Sequence, residues 1–362
     1  HPEVVIKTGG LDLEWMKQAD MIVLSPGVDP RLPEIVAAKE AGVEMVGDIE
    51  LFARYAKAPI VAITGSNGKS TVTTLLAEMA EAAGKNIAVG GNLGTPALDL
   101  ITDNVPDFYI VELSSFQLET VKSLNAFASV VLNVSPDHLD RYDSVEDYQQ
   151  AKARIFNGDG VMVINRDDDV VNELINEERN HIGFSLDASE GVDFGLIIKQ
   201  GQQWLAEGQQ ALMTVEDMKI VGKHNIANAL AALALGSAMA LPMTAMLSAL
   251  KSYKGLPHRC RFVTKTNSVR WFNDSKATNV GATIAAIEGL ADLGKMILIA
   301  GGIAKDQDFS ALTSVLEQSV RVVILLGQDA SEIANVVPNT VLTIIAKDMQ
   351  DAVNKANGVA YA

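Results

Sequence analysis

Short runs of consecutive apolar residues recur along the chain and alternate with stretches of helical composition. Met21–Leu24, Ile60–Ile63, Phe108–Val111, Ser129–Leu132 and Val161–Ile164 predict strands buried on both faces. Thr71–Ala83 has helix-forming composition and stops at Gly84, before a strand at Asn86–Val89. This alternation predicts an α/β protein with mostly parallel sheet. From Asp193 to Ile220 the period changes to short polar–apolar alternation with Gly201 and Gly208 at turns, which predicts a small antiparallel insert with no evident chemistry. Beyond Gly255-Leu256-Pro257 fresh strands are expected at Val269–Phe272, Met296–Ile299 and Val322–Leu326, so the main domain boundary falls there. Val4-Val5-Ile6 is strand-like, but the segment before residue 48 holds too few elements for a sheet of the usual ~4 to 6 strands.

Ile226–Leu250 is the one stretch with the length of a membrane span. Gly236 and Pro242 interrupt it and many of its residues are alanines, so two buried core helices are expected and no span. With 362 residues, 48% hydrophobic and 20% charged, the chain can bury several cores, and two or three domains are expected. A net charge of −16 opposes nonspecific attraction to nucleic acid or anionic membrane, which excludes both as expected partners. Cys260 is the single cysteine, leaving neither an internal disulfide nor a Cys-based zinc framework and matching a reducing compartment, so a cytoplasmic protein is expected. The chain opens His1-Pro2-Glu3, with no secretory pattern and no Met, which leads us to expect a start inside a longer parent.

The strongest local feature is Ala62-Ile63-Thr64-Gly65-Ser66-Asn67-Gly68-Lys69-Ser70-Thr71, set between a strand and a helix. Gly65 and Gly68 let backbone amides approach phosphate oxygens, and the helix N-terminus adds partial positive charge. Lys69 would meet the terminal phosphates, and Ser70 or Thr71 would offer a hydroxyl to Mg2+. The general Walker pattern has glycine where Ile63 stands, so this is the shorter Gly-x-x-Gly-Lys-Ser form.

In parallel sheets ligands collect beyond the carboxyl ends of strands. Glu112 ends the strand at 108–111 and has a carboxylate suited to Mg2+, or else is an exposed acid or a helix cap. His138, in Ser135-Pro136-Asp137-His138-Leu139-Asp140, follows the next strand and could ligate a metal, orient phosphate or simply be solvated. Lys152 falls on the expected helix Val145–Phe156, and by composition it is an ordinary surface lysine.

Four ordered motifs together resemble the Mur ligase superfamily over nearly the whole chain: Thr64-Gly65-Ser66-Asn67-Gly68-Lys69-Ser70-Thr71, Glu112-Leu113-Ser114-Ser115-Phe116-Gln117-Leu118, Asp137-His138-Leu139-Asp140-Arg141-Tyr142 and Gly222-Lys223-His224-Asn225-Ile226-Ala227-Asn228. Gly255-Leu256-Pro257-His258-Arg259 with Asn273-Asp274-Ser275-Lys276-Ala277-Thr278-Asn279 is similar to the members that add D-glutamate to UDP-N-acetylmuramoyl-L-alanine. Relatives adding other amino acids, and folylpolyglutamate synthases, usually carry an Asp-Tyr-Ala-His type segment there. The resemblance implies three domains: 1–47 as the remnant of an N-terminal UDP-binding α/β domain, 48–255 as a central P-loop ATPase-like domain, and 256–362 as a Rossmann-like amino-acid-binding domain incomplete at its end. It implies ATP and two Mg2+ ions, an acyl-phosphate intermediate, and the substrates UDP-N-acetylmuramoyl-L-alanine and D-glutamate for peptidoglycan synthesis. A monomer is expected.

Residue by residue, the resemblance assigns Gly65, Asn67, Gly68, Lys69, Ser70 and Thr71 to ATP, with Ser70 or Thr71 and Glu112 on the first Mg2+. His138 would help to hold the second ion, and Lys152 matches the lysine that the family carbamylates to make an anionic metal ligand. Asn225 and Asn228, on the turn entering a helix, match adenine-side positions or else cap that helix. Arg259 and Asp274 match nucleotide contacts from the last domain. Lys276, Thr278 and Lys305 resemble positions that receive D-glutamate and phosphate, while Asn92, Ser25 and Gly27 look like contacts to the muramoyl and UDP portions. The family's glycine-rich UDP-gripping segment is expected before His1 and its Ser-Pro-Ala-x-Ala-Ser segment after Ala362. The alternatives are therefore an ATP-binding fragment without turnover, a folylpolyglutamate synthase-like ligase, and, more distantly, a P-loop kinase or regulatory NTPase.

Overall fold

A computed structural model describes residues 4–135, 141–187, 193–303 and 307–360, the side chain of Asp292 excepted. The chain forms two compact units, residues 1–183 with 233–246, and 184–232 with 247–362.

In the first unit, β1 (Met21–Leu24) pairs in parallel with β2 (Glu44–Gly47), in register Met21 to Glu44. The intervening helix Pro33–Glu40 starts on a proline, whose missing N–H is no loss at a first helical position, and buries Ile35 and Ala38 against Leu24, Val43 and Met45. Val4–Ile6 differs from the expectation. It forms no strand and stays exposed, because its backbone pairs with no strand among the described residues.

The main sheet of this unit contains β3 (Ile60–Thr64), β4 (Ile87–Gly91), β5 (Phe108–Glu112), β6 (Ala128–Val131) and β7 (Val161–Asn165) in the order β7-β6-β3-β5-β4, all parallel. β8 (His181–Phe184) adjoins β7. Every residue of β3, β3's neighbour β6 included, is buried, as a continuous apolar run predicts for a central strand covered on both faces. Helix Lys69–Ala82 follows β3 and buries Val72, Leu75, Leu76, Met79 and Ala80. Helix Asp48–Tyr55 sets Phe52 edge-on against Tyr109 of β5, ring centres 5.2 Å apart. Because β3 lies inside the order, its carboxyl end is flanked by those of β5 and β6, with Ile63 beside Glu112 and Thr64 beside Val131.

The second unit carries the antiparallel insert expected from the alternating pattern: β9 (Phe194–Lys199), β10 (Gln202–Glu207) and β11 (Gln210–Thr214). β12 (Arg261–Thr266) and β13 (Val269–Asn273) form a hairpin closed by Asn267 and Ser268, both at positive φ as a two-residue turn of this hand requires. β14 (Met296–Gly301), β15 (Val320–Leu326) and β16 (Leu342–Ile345) form a parallel sheet in that order. Helices Val280–Leu290, Leu312–Ser319, Ala330–Val336 and Met349–Val359 supply its connections and cover. The Ile226–Leu250 stretch is two helices, Lys223–Ala238 and Met243–Ser252, and among the described residues no helix is long and apolar enough to cross a membrane.

Candidate functional site

The loop 65–68 leaves the carboxyl end of β3 with two glycines in conformations that other residues resist. Gly65 has φ +153° and Gly68 φ +86°. A Cβ on Gly65 would stand 2.9 Å from Leu132 Cβ and 3.3 Å from Asn133 N, so the loop passes too close to the end of β6 for any side chain. Gly68 immediately precedes helix Lys69–Ala82, whose first amide groups are thereby turned toward the loop.

The loop is held from both sides. Ser66 N donates to Asn133 O at 2.9 Å, Asn67 N to Asn133 Oδ1 at 2.8 Å, and Asn133 Nδ2 back to Asn67 O at 3.1 Å. Ser66 Oγ bonds Ser135 O at 3.0 Å and the Tyr148 hydroxyl at 2.9 Å. Lys69 Nζ folds back onto Gly65 O at 2.8 Å and Ser66 O at 3.0 Å. Lys152 Nζ donates to the same Gly65 oxygen at 3.0 Å and lies 4.5 Å from the centre of the Tyr148 ring. Lys152 is 1% exposed, which corrects its reading as a surface lysine. Helix Val145–Ala153 buries Tyr148, Ala151 and Lys152, a single stripe at three- and four-residue spacing, and this places the amine inside.

Glu112 ends β5 beside the loop and is 2% exposed. Asn92 Nδ2 donates to Oε1 at 2.8 Å, and Asn92 N to Glu112 O at 2.8 Å, so Asn92 is tied to this carboxylate by side chain and backbone. Among the described residues, Oε2 is buried with no hydrogen-bond partner. A desolvated carboxylate oxygen without a partner is unfavourable unless a cation meets it, and Ser70 and Thr71 bury hydroxyls in the first turn of the adjacent helix. These donors fit Mg2+, a hard ion that takes oxygen ligands. His138 lies outside the described residues, as do Asp137 and Asp140. Ser25 and Gly27 are exposed in the turn after β1, where Val28 N donates to Ser25 O at 2.9 Å.

Within the second unit, Asn225 and Asn228 are buried in the first turns of helix Lys223–Ala238 rather than on a turn before it. Asn225 Nδ2 donates to Val221 O at 2.7 Å and Asn228 Nδ2 to Asn225 Oδ1 at 3.3 Å, so neither side chain caps a helical N–H. Arg259 and Asp274 lie together across the start of the β12–β13 hairpin. Cys260 N donates to Asp274 Oδ1 at 2.8 Å. Burial raises the Asp274 carboxyl above its ordinary range, against the Cys260 amide and the Arg259 charge, which lower it. Burial and then the Asp274 charge push the Cys260 thiol up to about 12, so it stays protonated and inert. Lys276 and Thr278 are exposed on the segment between β13 and helix Val280–Leu290, with Lys276 N bonded to His258 O at 3.0 Å and Gln307 Nε2 to Thr278 O at 3.2 Å. Asn279 caps that helix through Ala282 N at 2.7 Å. Lys305 lies outside the described residues.

Sequence reasoning passed over Asn133 and Tyr148, which hold the phosphate loop. Asn133 is the second residue beyond the end of β6, where the strand-end rule points.

The chain matches the Mur ligase MurD-like N-terminal domain over residues 1–47, the Mur ligase middle domain over 63–236, and the Mur ligase glutamate ligase domain over 258–361. It is 52% identical over 362 residues to a UDP-N-acetylmuramoylalanine--D-glutamate ligase of Nitrosococcus oceani, covering all of this chain and 80% of that protein. The chain belongs to the Mur ligase family. A second ligase of the same name, from Pseudomonas aeruginosa, is 51% identical over 99% of this chain and 81% of its own length. Mur ligases use ATP and Mg2+, and membership makes this chain an ATP-dependent carboxylate–amine ligase of cell-wall synthesis. In fold it is similar to MurF from Acinetobacter baumannii (TM-score 0.70, 17% identity, 97% of this chain and 86% of that one). It is also similar to a pseudomurein peptide ligase type C from Methanothermus fervidus (TM-score 0.69, 18% identity, 98% and 84%).

Proposed function

We propose that this Mur ligase joins D-glutamate to UDP-N-acetylmuramoyl-L-alanine, forming an amide at the expense of ATP. The observation that carries the proposal is the meeting of the glycine-bounded phosphate loop, two lysines on one carbonyl and a buried, half-partnered carboxylate at the carboxyl ends of β3 and β5. The sequence likeness to D-glutamate ligases supplies the substrates.

The substrate carboxylate attacks the terminal phosphorus of ATP and ADP leaves. The amine of D-glutamate then adds to the acyl carbon, and the tetrahedral adduct expels phosphate and loses a proton. Both steps gather negative charge, so fixed donors dominate catalysis. Gly65 and Gly68 present backbone to the phosphates, Asn67, whose backbone is held by Asn133, offers its side chain, and Lys69 turns from its two loop carbonyls to the transferred group. Ser70 or Thr71, with Glu112, would hold Mg2+, which when bound would neutralise phosphate charge. Asn92 orients Glu112 and faces the muramoyl side, with Ser25 and Gly27.

Lys152 Nζ meets Lys69 Nζ on the Gly65 carbonyl, inside the site rather than at the surface. Addition of CO2 to the Lys152 amine, with release of one proton, would make a carbamate, an anion that with His138 would serve as a ligand for a second Mg2+. Asn225 and Asn228 serve the adenine, Arg259 and Asp274 the nucleotide, and Lys276, Thr278 and Lys305 the D-glutamate carboxylates and phosphate. The division into domains 1–47, 48–255 and 256–362 is part of the proposal, as are a cytoplasmic location and a monomer; the three family matches support the division.

The test is to mix the protein with ATP, Mg2+, UDP-N-acetylmuramoyl-L-alanine and D-glutamate, and to follow phosphate and the amide product by mass spectrometry. Product should require all four. Lys69→Ala should abolish it, and unchanged turnover in that variant would sink the phosphate-loop assignment. Amide formation with a folate in place of the nucleotide sugar would transfer the reading to the folylpolyglutamate branch.

A further inference from the structure

Two adjacent residues of the first unit, Arg141 and Tyr142, bond in opposite directions. Arg141 Nη2 donates to Glu119 Oε2 at 2.8 Å and to Val28 O at 3.2 Å. Its guanidinium lies 4.7 Å from the centre of the Phe116 ring, and its Nε is 4.0 Å from Asp29 Oδ2. The side chain is only 12% exposed, so these charge-assisted contacts escape most of the screening that weakens surface pairs. Arg31 closes the same junction, bonding Asp29 and Asp143 at 2.9 Å each and donating to the Arg141 carbonyl. Val28 and Asp29 follow directly on Ser25–Gly27, the turn assigned above to the nucleotide sugar.

Tyr142 reaches the other way. Its ring stacks on Phe116, centres 6.0 Å apart at 26°, and meets Tyr148 edge-on at 5.3 Å. The Tyr148 hydroxyl bonds Ser66 of the phosphate loop, and its ring lies beneath Lys152. A continuous set of packed and bonded side chains therefore runs from the turn after β1 to the phosphate loop, with Arg141 at the crossing.

We propose that Arg141 is a positioning residue that sets the nucleotide-sugar turn, Ser25–Gly27, against the phosphate loop, and so fixes where the substrate carboxylate stands relative to the terminal phosphate. The inference rests on the ligase reading above. Arg141 does not touch the reacting atoms. It acts because one planar, forked cation bonds Glu119 and Val28 while presenting a flat face to Phe116, which a lysine ammonium cannot do.

The experiment measures KM for UDP-N-acetylmuramoyl-L-alanine and for ATP, together with kcat, in wild type, Arg141→Lys, Arg141→Gln and Glu119→Gln, with circular dichroism and ATP binding as checks on folding. Loss of a charge-assisted bond at this burial should raise KM for the nucleotide sugar about 10- to 100-fold in both Arg141 variants. KM for ATP should stay within about twofold, and Glu119→Gln should shift the same constant less, because the amide oxygen still accepts. Wild-type KM in folded Arg141→Lys or Arg141→Gln would overturn the inference, as would a parallel rise of both KM values. If Arg141→Gln fails to fold, Arg141→Lys and Glu119→Gln decide alone. Absence of turnover in wild type with this substrate would instead defeat the ligase reading itself.

Discussion

Replacing Glu112 by Gln separates what the carboxylate does for the fold from the metal-binding role proposed for it. Glu112 is 2% exposed, with Asn92 on Oε1 and, among the described residues, no partner on Oε2. A buried charged oxygen left unpaired costs about 1–3 kcal/mol or more, so the metal-free protein carries a penalty that the neutral amide removes in part. Apo Glu112→Gln should therefore melt at or slightly above wild type, by up to a few degrees at ~2–4 °C per kcal/mol for domains of this size. Wild type with Mg2+ and ATP at a hundredfold excess over Kd should gain ~2.7 kcal/mol from binding, some 5–10 °C. The variant should lose the Mg2+-dependent part of that gain and at least ~100-fold of turnover, since even residues that only orient metal ligands contribute 10- to 100-fold. The assay is thermal melting by differential scanning fluorimetry with and without Mg2+, with phosphate release beside it. A Mg2+-dependent shift that survives in Glu112→Gln would refute the metal assignment. An apo melting point several degrees lower would show that Oε2 stabilises the fold unaided.

Two further outcomes follow from the geometry. Gly65→Ala places a Cβ 2.9 Å from Leu132 at φ +153°, and should destabilise by ~1–3 kcal/mol and weaken ATP binding, read by melting and nucleotide titration; unimpaired affinity would mean the loop has room that the contacts deny it. Glu50 is 1% exposed, and although burial opposes its charge, the Ser123 and Lys122 amides, the Ser123 hydroxyl and Arg54 hold its carboxyl down at about 2. A depressed folded value contributes stability that is present above the unfolded value near 4.5 and is lost as pH falls toward 2. The contribution is about 3 kcal/mol, so urea melts of Glu50→Gln should show lower stability at neutral pH and a flatter acid limb between pH 5 and 2, whereas parallel limbs would contradict the account.

The strands and the phosphate loop were legible because their causes are local. A buried parallel strand is a short apolar run, and a loop between strand and helix that must approach phosphate needs Gly65 and Gly68. Composition alone places Lys152 at the surface, and the same sequence carries the signal that corrects this. Helix 145–153 is polar on average, but Tyr148, Ala151 and Lys152 form one stripe, and a lysine in register with the buried aromatic goes inside with it. Val4–Ile6 erred oppositely, since apolar composition predicts a strand only where a partner completes its hydrogen bonds.

What no local pattern reveals is which distant groups complete a buried polar one. Asn133 supplies Asn67 from 66 positions away, Asn92 supplies Glu112 from 20, and Arg141 reaches Val28 across 113. The first pairing depends on β6 lying beside β3 and the second on β4 lying beside β5, and that order is not written in any segment. The Glu112 oxygen that stays unpartnered after all these pairings is thus more telling than any motif. Among the described residues Ser135 Oγ and Asp48 Oδ1 are also buried without a partner, but Glu112 Oε2 is the carboxylate oxygen at the end of the strand beside loop 65–68, and a charge placed there without a partner is what the proposed Mg2+ would meet.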